Sequence, residues 1–376
     1  MKIGINGFEA VIPRFGYDSN GLPNRVGSSE VCFQILSELY KIDKKNEYRI
    51  YLPVQPTSDM PKEREGWHYE IIPNKKLWTI FGLSKRLMSR SNLDVFFSPT
   101  HYGTMFTSIP EVITVLDVSY KQFPELFKKK DLLQLNLWGG YSVKKATKII
   151  TISNSSKNDI IREYHVDPEK VKVVYLGLKF QNPSTKHQIN SKMENYKPYV
   201  LFVGTIQPRK NLVRLIEAFS KLDPPAGGKN FKLVIIGRRG WHYEEILDAP
   251  KKFGVEDSVR FLESVTDDEL PAFYQNAKLF VLPSLYEGFG LPVLEAMKYG
   301  CPVAASNISS LPEAGGDAAV YFDPENVGDI AEKMEKVLSN KNLRDDMIKK
   351  GHEQVKKFSW EKSAREVLKV LEETAR

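Results

Sequence analysis

The sequence predicts an α/β protein of two doubly wound parallel-sheet domains facing across a cleft, and three observations carry that prediction. Short β-rich runs alternate with helical periodicity, twice over. Most of the strand runs are continuously apolar, as in strands covered by helices on both faces. A polar stretch without periodicity then separates the two series. A length of 376 residues also suits two domains.

In the first series strands are expected over 2–8, 47–53, 69–73, 94–99, 111–117, 148–153 and 172–177. Helices fill 28–42, 75–89, 131–146 and 154–164. From about 179 the pattern stops, and 181–197 is expected to be an interdomain linker. The second series places strands over 199–205, 231–237, 259–263, 278–283, 302–306 and 318–322. Its helices lie near 212–222, 243–253, 267–277, 292–299 and 327–339. Thr266 and Glu269 form a capping-box pattern at the start of one of them. Gly300 stands where a helix end needs a left-handed residue. The last segment, 360–376, is amphipathic, with Ala364, Val367, Leu368 and Leu371 on one face. The expected domains are thus Rossmann-like units over 1–180 and 198–359.

Composition excludes several classes. Hydrophobic residues make up 41% and charged residues 27% of the chain, which argues against a mainly disordered protein. No apolar run approaches the ~18–20 residues of a membrane-spanning helix. Cys32 and Cys301 are too few for a disulfide framework and form no metal-ligand pair. The opening Met1-Lys2-Ile3-Gly4-Ile5 lacks the apolar core of a signal peptide and reads as a first strand, so the expected location is the cytoplasm. Residues 1–190 hold 27 Lys and Arg against 19 Asp and Glu, whereas residues 191–376 hold 27 against 28. Such a basic first half attracts anionic membrane or phosphate-bearing acceptors; a solvated surface without a partner is the alternative of equal weight. Nucleic acid is not expected, because there is no zinc-finger spacing, aromatic strand motif or basic tail.

In doubly wound sheets ligands bind outside the carboxyl ends of the strands, so the strand-to-helix loops carry the chemistry. The first such loop is 203–211, Val-Gly-Thr-Ile-Gln-Pro-Arg-Lys-Asn. Gly204 lets the backbone approach a ligand, and Arg209 with Lys210 puts two cations at a helix start, which fits a pyrophosphate. The second is 283–295, Pro-Ser-Leu-Tyr-Glu-Gly-Phe-Gly-Leu-Pro-Val-Leu-Glu. Gly288 and Gly290 offer backbone N–H groups to an oxyanion. Glu287 in the loop and Glu295 in the helix can reach one cleft and accept hydrogen bonds from vicinal sugar hydroxyls. Glu295 sits among Leu294, Ala296 and Met297, where an unpaired charge is costly. The third loop, 16–30, combines Gly16, Gly21 and Gly27 with Asn20, Asn24, Ser28 and Ser29. Its Arg25 and Gly27 could face a phosphate or an acceptor. The fourth places Asp117 at a strand end and His101 after Ser98-Pro99-Thr100; a structural role is the alternative for each.

Four motifs are absent: Asp-x-Asp, His-Glu-x-x-His, Gly-x-Ser-x-Gly and the Gly-x-x-x-x-Gly-Lys-[Ser/Thr] loop. No metal and no cofactor is therefore expected. A bound diphosphate has only Arg209, Lys210 and helix N-termini to neutralise it.

These motifs resemble a known family. The run 203–219, the Glu287 and Glu295 pair in 284–297, and 305–313, Ala-Ser-Asn-Ile-Ser-Ser-Leu-Pro-Glu, are similar to the family 4 retaining glycosyltransferases of the GT-B fold. Within that family the likeness is to the mannosyltransferase-B-like bacterial enzymes of O-antigen or capsule synthesis. It extends to 237–241, Gly-Arg-Arg-Gly-Trp, and to 114–120, Thr-Val-Leu-Asp-Val-Ser-Tyr.

The resemblance implies a retaining, metal-independent hexosyltransferase. Its donor would be a GDP- or UDP-linked sugar, GDP-mannose first, and its acceptor a saccharide or a lipid-diphosphate-linked glycan. It implies that 198–359 binds the donor, with Glu295 on the ribose, Glu287 on the sugar, and Arg209 and Lys210 on the diphosphate. Gly204 and Ser284 would belong to the same site. Gly288, Phe289, Gly290 and Leu291 would supply backbone donors, and the segment 263–265, with Val265, would lie beside the base. The domain 1–180 would bind the acceptor, with Gly27 near the reaction centre, and the helix 360–376 would return to that domain. Members usually carry His-Asp at the end of the fifth strand; here the pair is Leu116-Asp117, and His101 becomes the candidate for that histidine's part. A nucleotide-sugar-binding homologue without catalysis and a nucleotide-sugar epimerase are the alternative readings.

Overall fold

Val95, Phe96 and Phe97, and likewise the run Leu279 to Leu282, are almost wholly removed from water. Uninterrupted apolar strands of this kind belong in the middle of a sheet covered on both faces. The computed structural model describes all residues except 13–15, 19–20, 74–76, 90–91, 179–195, 197, 223–230, 264, 267 and 376. Nearly all of the expected linker, Asn20, residue 264 of the segment expected at the base, and the expected helix starts at 75 and 267 lie outside the described residues. The chain divides into two units, Met1–Gly177 with Phe358–Arg376, and Leu178–Lys357.

The first unit holds seven strands, β1 (Lys2–Asn6), β2 (Glu47–Leu52), β3 (Trp67–Ile71), β4 (Val95–Ser98), β5 (Glu111–Thr114), β6 (Lys148–Thr151) and β7 (Val171–Val173). Their order in the sheet is β3-β2-β1-β4-β5-β6-β7, and every pairing is parallel. Each falls within or beside the run expected for it. The helices Ser28–Ile42 and Asn154–Tyr164 have the expected bounds. The latter is capped by the Ser153 side chain, which accepts from Ser156 N. Residue 8 leaves the first strand early, because Phe8–Val11 forms a helical turn.

The final helix, Trp360–Thr374, belongs to this unit and buries Trp360, Ala364, Val367, Val370 and Leu371. Ser363 donates to the Tyr175 carbonyl, and Tyr175 packs edge-on against Phe358. Gly177 makes this approach possible: a Cβ there would stand 2.1 Å from the Trp360 backbone nitrogen.

The second unit repeats the plan with β8 (Tyr199–Val203), β9 (Lys232–Ile236), β10 (Val259–Leu262), β11 (Leu279–Leu282), β12 (Val303–Ser306) and β13 (Ala319–Phe322). Their order is β10-β9-β8-β11-β12-β13, again all parallel. In each sheet the order reverses beside the first strand, between β1 and β4 and between β8 and β11. Loops leaving the carboxyl ends of such a pair diverge to opposite faces and open a crevice for ligands. The capping box forms as expected: Thr266 N donates to Glu269 Oε2 at 3.0 Å and Glu269 N to Thr266 Oγ1 at 3.3 Å. The helix proper then runs Leu270–Asn276. Gly300 takes its left-handed conformation, φ 72°. The helix Lys341–Val355 had no counterpart in the sequence pattern. Only Met347, Gly351, Gln354 and Val355 of its fifteen residues are buried, too sparse a face to register as periodicity.

Among the described residues no helix is long and apolar enough to cross a membrane.

Candidate functional site

Two loops at the β8/β11 switch point come together. The loop after β8 does not enter its helix directly. Pro208–Lys210 is a single 3-10 turn, and Asn211, at φ 59°, separates it from the helix Leu212–Ser220. The expectation that Arg209 and Lys210 open that helix is therefore corrected: the left-handed Asn211 holds both cations on the turn ahead of it. Asn211 is fixed by donating to the Pro324 carbonyl at 2.7 Å. The two loops are stitched by a backbone bond, Leu285 N to Arg209 O, at 2.9 Å.

Glu287 is the centre of the cluster. Its Oε1 accepts from Lys210 Nζ and, at 2.6 Å, from Ser284 Oγ. Its Oε2 lies 3.4 Å from a terminal nitrogen of Arg209. Arg209 also donates to the Tyr286 carbonyl. The side chains of Arg209, Lys210 and Glu287 are 20%, 10% and 11% exposed, so the group is largely desolvated. Burial pushes the Glu287 carboxyl up, but Lys210, Arg209 and the Ser284 hydroxyl outweigh it and hold it at about 2. With one carboxylate against two cations the cluster keeps a net positive charge, aimed by fixed hydrogen bonds. That is the electrostatics an anionic leaving group requires.

The backbone beneath is close-packed. Gly204 N donates to Ile236 O and Gly237 N to Leu262 O, both at 2.9 Å. A Cβ on Gly237 would stand 1.9 Å from the Gly204 carbonyl oxygen, so the two loop ends can meet this closely only through glycine. Gly290 has φ 101° and precedes the helix Leu291–Lys298. Gly288, Phe289 and Gly290 are buried, while Leu291 and Val265 are half-buried. Glu295 is half-buried on that helix, and its Oε2 accepts from Tyr274 OH at 3.0 Å. Glu295 raises the Tyr274 phenol further, after burial has already done so.

Two residues of this site carried no individual signal in the sequence. Ser309 Oγ accepts from Glu287 N at 3.0 Å, and Ser310 Oγ donates to Glu287 O at 2.8 Å. Together they clamp the Glu287 backbone from the loop after β12. The available clue was the run 305–313, which contains both serines.

In the first unit Gly27 precedes the helix Ser28–Ile42 with φ 58° and ψ −125°, and a Cβ there would meet nothing within 4 Å. Its backbone faces open space. Arg25 is different. Its guanidinium pairs with Asp59, donates to Thr57 Oγ1 at 3.0 Å and to Ala10 O at 2.8 Å, and stacks on Phe33 at 3.9 Å. All of its donors face the interior, so it anchors the loop rather than offering a grip to phosphate. His101 lies 3.4 Å from Tyr120 OH and is packed against Gly139. Burial drives its imidazole down to about 4, against the opposing pull of Asp117. Asp117 accepts from Ser119 N at 2.9 Å. No group of three or more His, Cys, Asp or Glu side chains suited to a metal ion occurs among the described residues.

Residues 184–354 match the family described as glycosyl transferases group 1. The O-antigen chain mannosyltransferase B of Escherichia coli is 33% identical over 255 residues, covering 66% of this chain and 67% of that protein. The serotype-specific mannosyltransferase WbdA of Escherichia coli is 34% identical over 228 residues, 58% of this chain. The match spans only 28% of the much longer WbdA. The O-antigen chain mannosyltransferase RfbU of Salmonella typhimurium is 31% identical over 215 residues, 57% of each chain. Among solved structures, WaaG, a glycosyltransferase involved in lipopolysaccharide biosynthesis, matches with a TM-score of 0.69 over 98% of this chain and 99% of that one, at 18% identity. Anabaena Alr3699/HepE in complex with UDP-glucose matches with a TM-score of 0.71 over 99% and 100%, at 16% identity. At these identities the structures establish a shared fold, the GT-B architecture, and nothing finer.

Proposed function

The chain belongs to the group 1 glycosyltransferases of the GT-B fold, and from that premise we propose that it transfers mannose from GDP-mannose to a saccharide or lipid-diphosphate-linked glycan, with retention and without a divalent metal. The observation that carries this reading is the Arg209–Lys210–Glu287 cluster at the β8/β11 switch point. The choice of mannose rests on three relatives named as mannosyltransferases. UDP remains the competing base.

In this reading the residues 198–359 hold the donor. Arg209 and Lys210 take the diphosphate, and Glu287, already oriented by both, faces the sugar hydroxyls. Gly204, Ser284 and the backbone from Gly288 to Leu291 complete the cradle. Glu295 takes the ribose hydroxyls, and Val265 lies beside the base. The residues 1–180 hold the acceptor, with Gly27 near the reacting oxygen.

As the bond between C1 and the phosphate oxygen breaks, the leaving diphosphate gains negative charge, which Arg209 and Lys210 stabilise. The acceptor oxygen bonds to C1 from the same face, and its proton passes to a diphosphate oxygen. Configuration is kept, and no protein nucleophile is needed. His101, held neutral at pH 7 by burial, could orient the sugar by a hydrogen bond but supplies no positive charge; Asp117 beside it would fix the ring.

Incubation with labelled GDP-mannose, UDP-glucose and a lipid-linked oligosaccharide, followed by anomeric analysis of the product, tests this. An α-linked mannoside formed equally well in EDTA supports it. Transfer from UDP-glucose alone, an inverted linkage or abolition by EDTA would overturn the corresponding part. A changed nucleotide sugar formed without acceptor would point to the epimerase instead.

A further inference from the structure

In the second unit a buried phenol is aimed at one of the candidate carboxylates. Tyr274 lies on the helix Leu270–Asn276, just ahead of β11, and is wholly removed from water. Its ring meets Phe280 of β11 edge-on at 5.6 Å and stacks on Tyr299 at 5.9 Å. Tyr299 directly follows the helix Leu291–Lys298, which carries Glu295. The ring is thus wedged between the strand and the helix that flank the Glu287 loop. The turn that bears it is tied to β8, because Tyr199 OH donates to the Phe273 carbonyl at 2.7 Å. From this fixed position the Tyr274 hydroxyl donates to Glu295 Oε2 at 3.0 Å.

Packing alone does not ask for a hydroxyl here. Phenylalanine would fill nearly the same volume without burying a polar group. The hydroxyl instead meets a carboxylate that is itself only half-buried. Burial first and Glu295 second hold the phenol well above its ordinary range, so it stays a proton donor at neutral pH. A glutamate stem is long and rich in rotamers, and ordering it costs entropy. A donor on a rigid, enclosed ring supplies that order in advance, through a bond strengthened by the acceptor's charge. Lys298 also senses the Glu295 charge, but its stem is half-buried and flexible. A carboxylate can accept about four hydrogen bonds, so the one from Tyr274 still allows a pair of vicinal hydroxyls.

We propose that Tyr274 is the positioning residue for ribose recognition: its hydroxyl holds the Glu295 carboxylate in the orientation that accepts the vicinal hydroxyls of the bound nucleotide, and so makes the site select a ribonucleotide. Tyr274 is enclosed by protein and acts only through Glu295. The inference rests on the donor reading above, in which Glu295 takes the ribose.

Titration calorimetry of wild type and Tyr274→Phe with GDP and with 2′,3′-dideoxy-GDP tests it; UDP and its dideoxy analogue take their place if the wild type prefers UDP. The substitution removes only the hydroxyl, and circular dichroism checks the fold. Wild type should bind the ribonucleotide ~10-fold or more tightly than the dideoxy analogue. Tyr274→Phe should weaken the ribonucleotide ~5–10-fold and leave the dideoxy analogue within about twofold of wild type. It should raise the donor KM with little change in kcat. In a Glu295→Ala background the same substitution should cost the ribonucleotide nothing further. Unchanged ribonucleotide affinity in folded Tyr274→Phe would overturn the proposal. So would an equal loss for both nucleotides, or a further loss in the Glu295→Ala background, since either would make the hydroxyl a structural contact only. Equal binding of the two nucleotides by the wild type would take Glu295 off the ribose; that failure of the donor reading shows without any variant, and the proposal falls with it.

Discussion

Glu287 keeps its charge in a buried site with Lys210, Arg209 and the Ser284 hydroxyl beside it. Its folded pKa of about 2 against an ordinary 4.5 is worth roughly 3 kcal/mol. Because the folded value lies below the unfolded one, this stabilisation is present above about pH 4.5 and is lost as pH falls toward 2. The melting temperature of the wild type should drop across that window. Glu287→Gln should melt lower at neutral pH but show a flatter acid limb; an identical acid limb in the two proteins would contradict the pairing. The two cations differ as probes. Lys210 is the more buried, and Lys210→Ala should cost roughly 3 kcal/mol of stability as well as activity. Arg209 is the more exposed, 20% against 10%, so Arg209→Ala should keep the fold, read by circular dichroism, and lower turnover ~10²-fold or more. The sequence made these residues visible as loop motifs. It did not show their pairing, since Lys210 and Glu287 are 77 apart in the chain and meet only because β11 lies against β8. Arg25 looked like a phosphate grip in a glycine-rich loop; its true partner, Asp59, sits in a stretch without periodicity that gives no hint of where it folds.

The strands were the most legible elements, because a buried parallel strand writes itself as an apolar run regardless of its neighbours. Helices were legible in proportion to the apolar face they bury: Ser28–Ile42 and Val327–Ser339 match their expected bounds, whereas the polar Lys341–Val355 was missed. The turn at Pro208–Lys210 was misjudged because nothing in the sequence shows that Asn211 is left-handed. At this scale the contact between the β8 and β9 loops is the exposed joint. Gly237→Ala would force a Cβ against the Gly204 carbonyl. It should cost roughly 1–3 kcal/mol, lower the melting temperature and raise the donor KM by displacing the loop that carries Arg209. Differential scanning calorimetry and steady-state kinetics check it; a variant with wild-type melting and KM would show that the joint yields freely.

Over the whole molecule two copies of one plan share the chain, and charge distinguishes them. The excess of Lys and Arg lies in the first 190 residues, while the second unit has near balance and holds Arg209 and Lys210 against Glu287. In the proposed reading Arg209 and Lys210 offset the diphosphate charge, and the matching prediction is that activity survives exhaustive chelation, measured as turnover with and without EDTA. The central claim is that Arg209 and Lys210, held by Glu287, form a diphosphate site. Thermal melting of wild type and Arg209→Ala with GDP, UDP and ADP, each with EDTA, tests it most directly. At 100 times its Kd a nucleoside diphosphate binding only the native state adds ~2.7 kcal/mol. The account predicts a clear stabilisation of the wild type by GDP in EDTA, largely lost in a folded Arg209→Ala. Equal stabilisation of both proteins would contradict it.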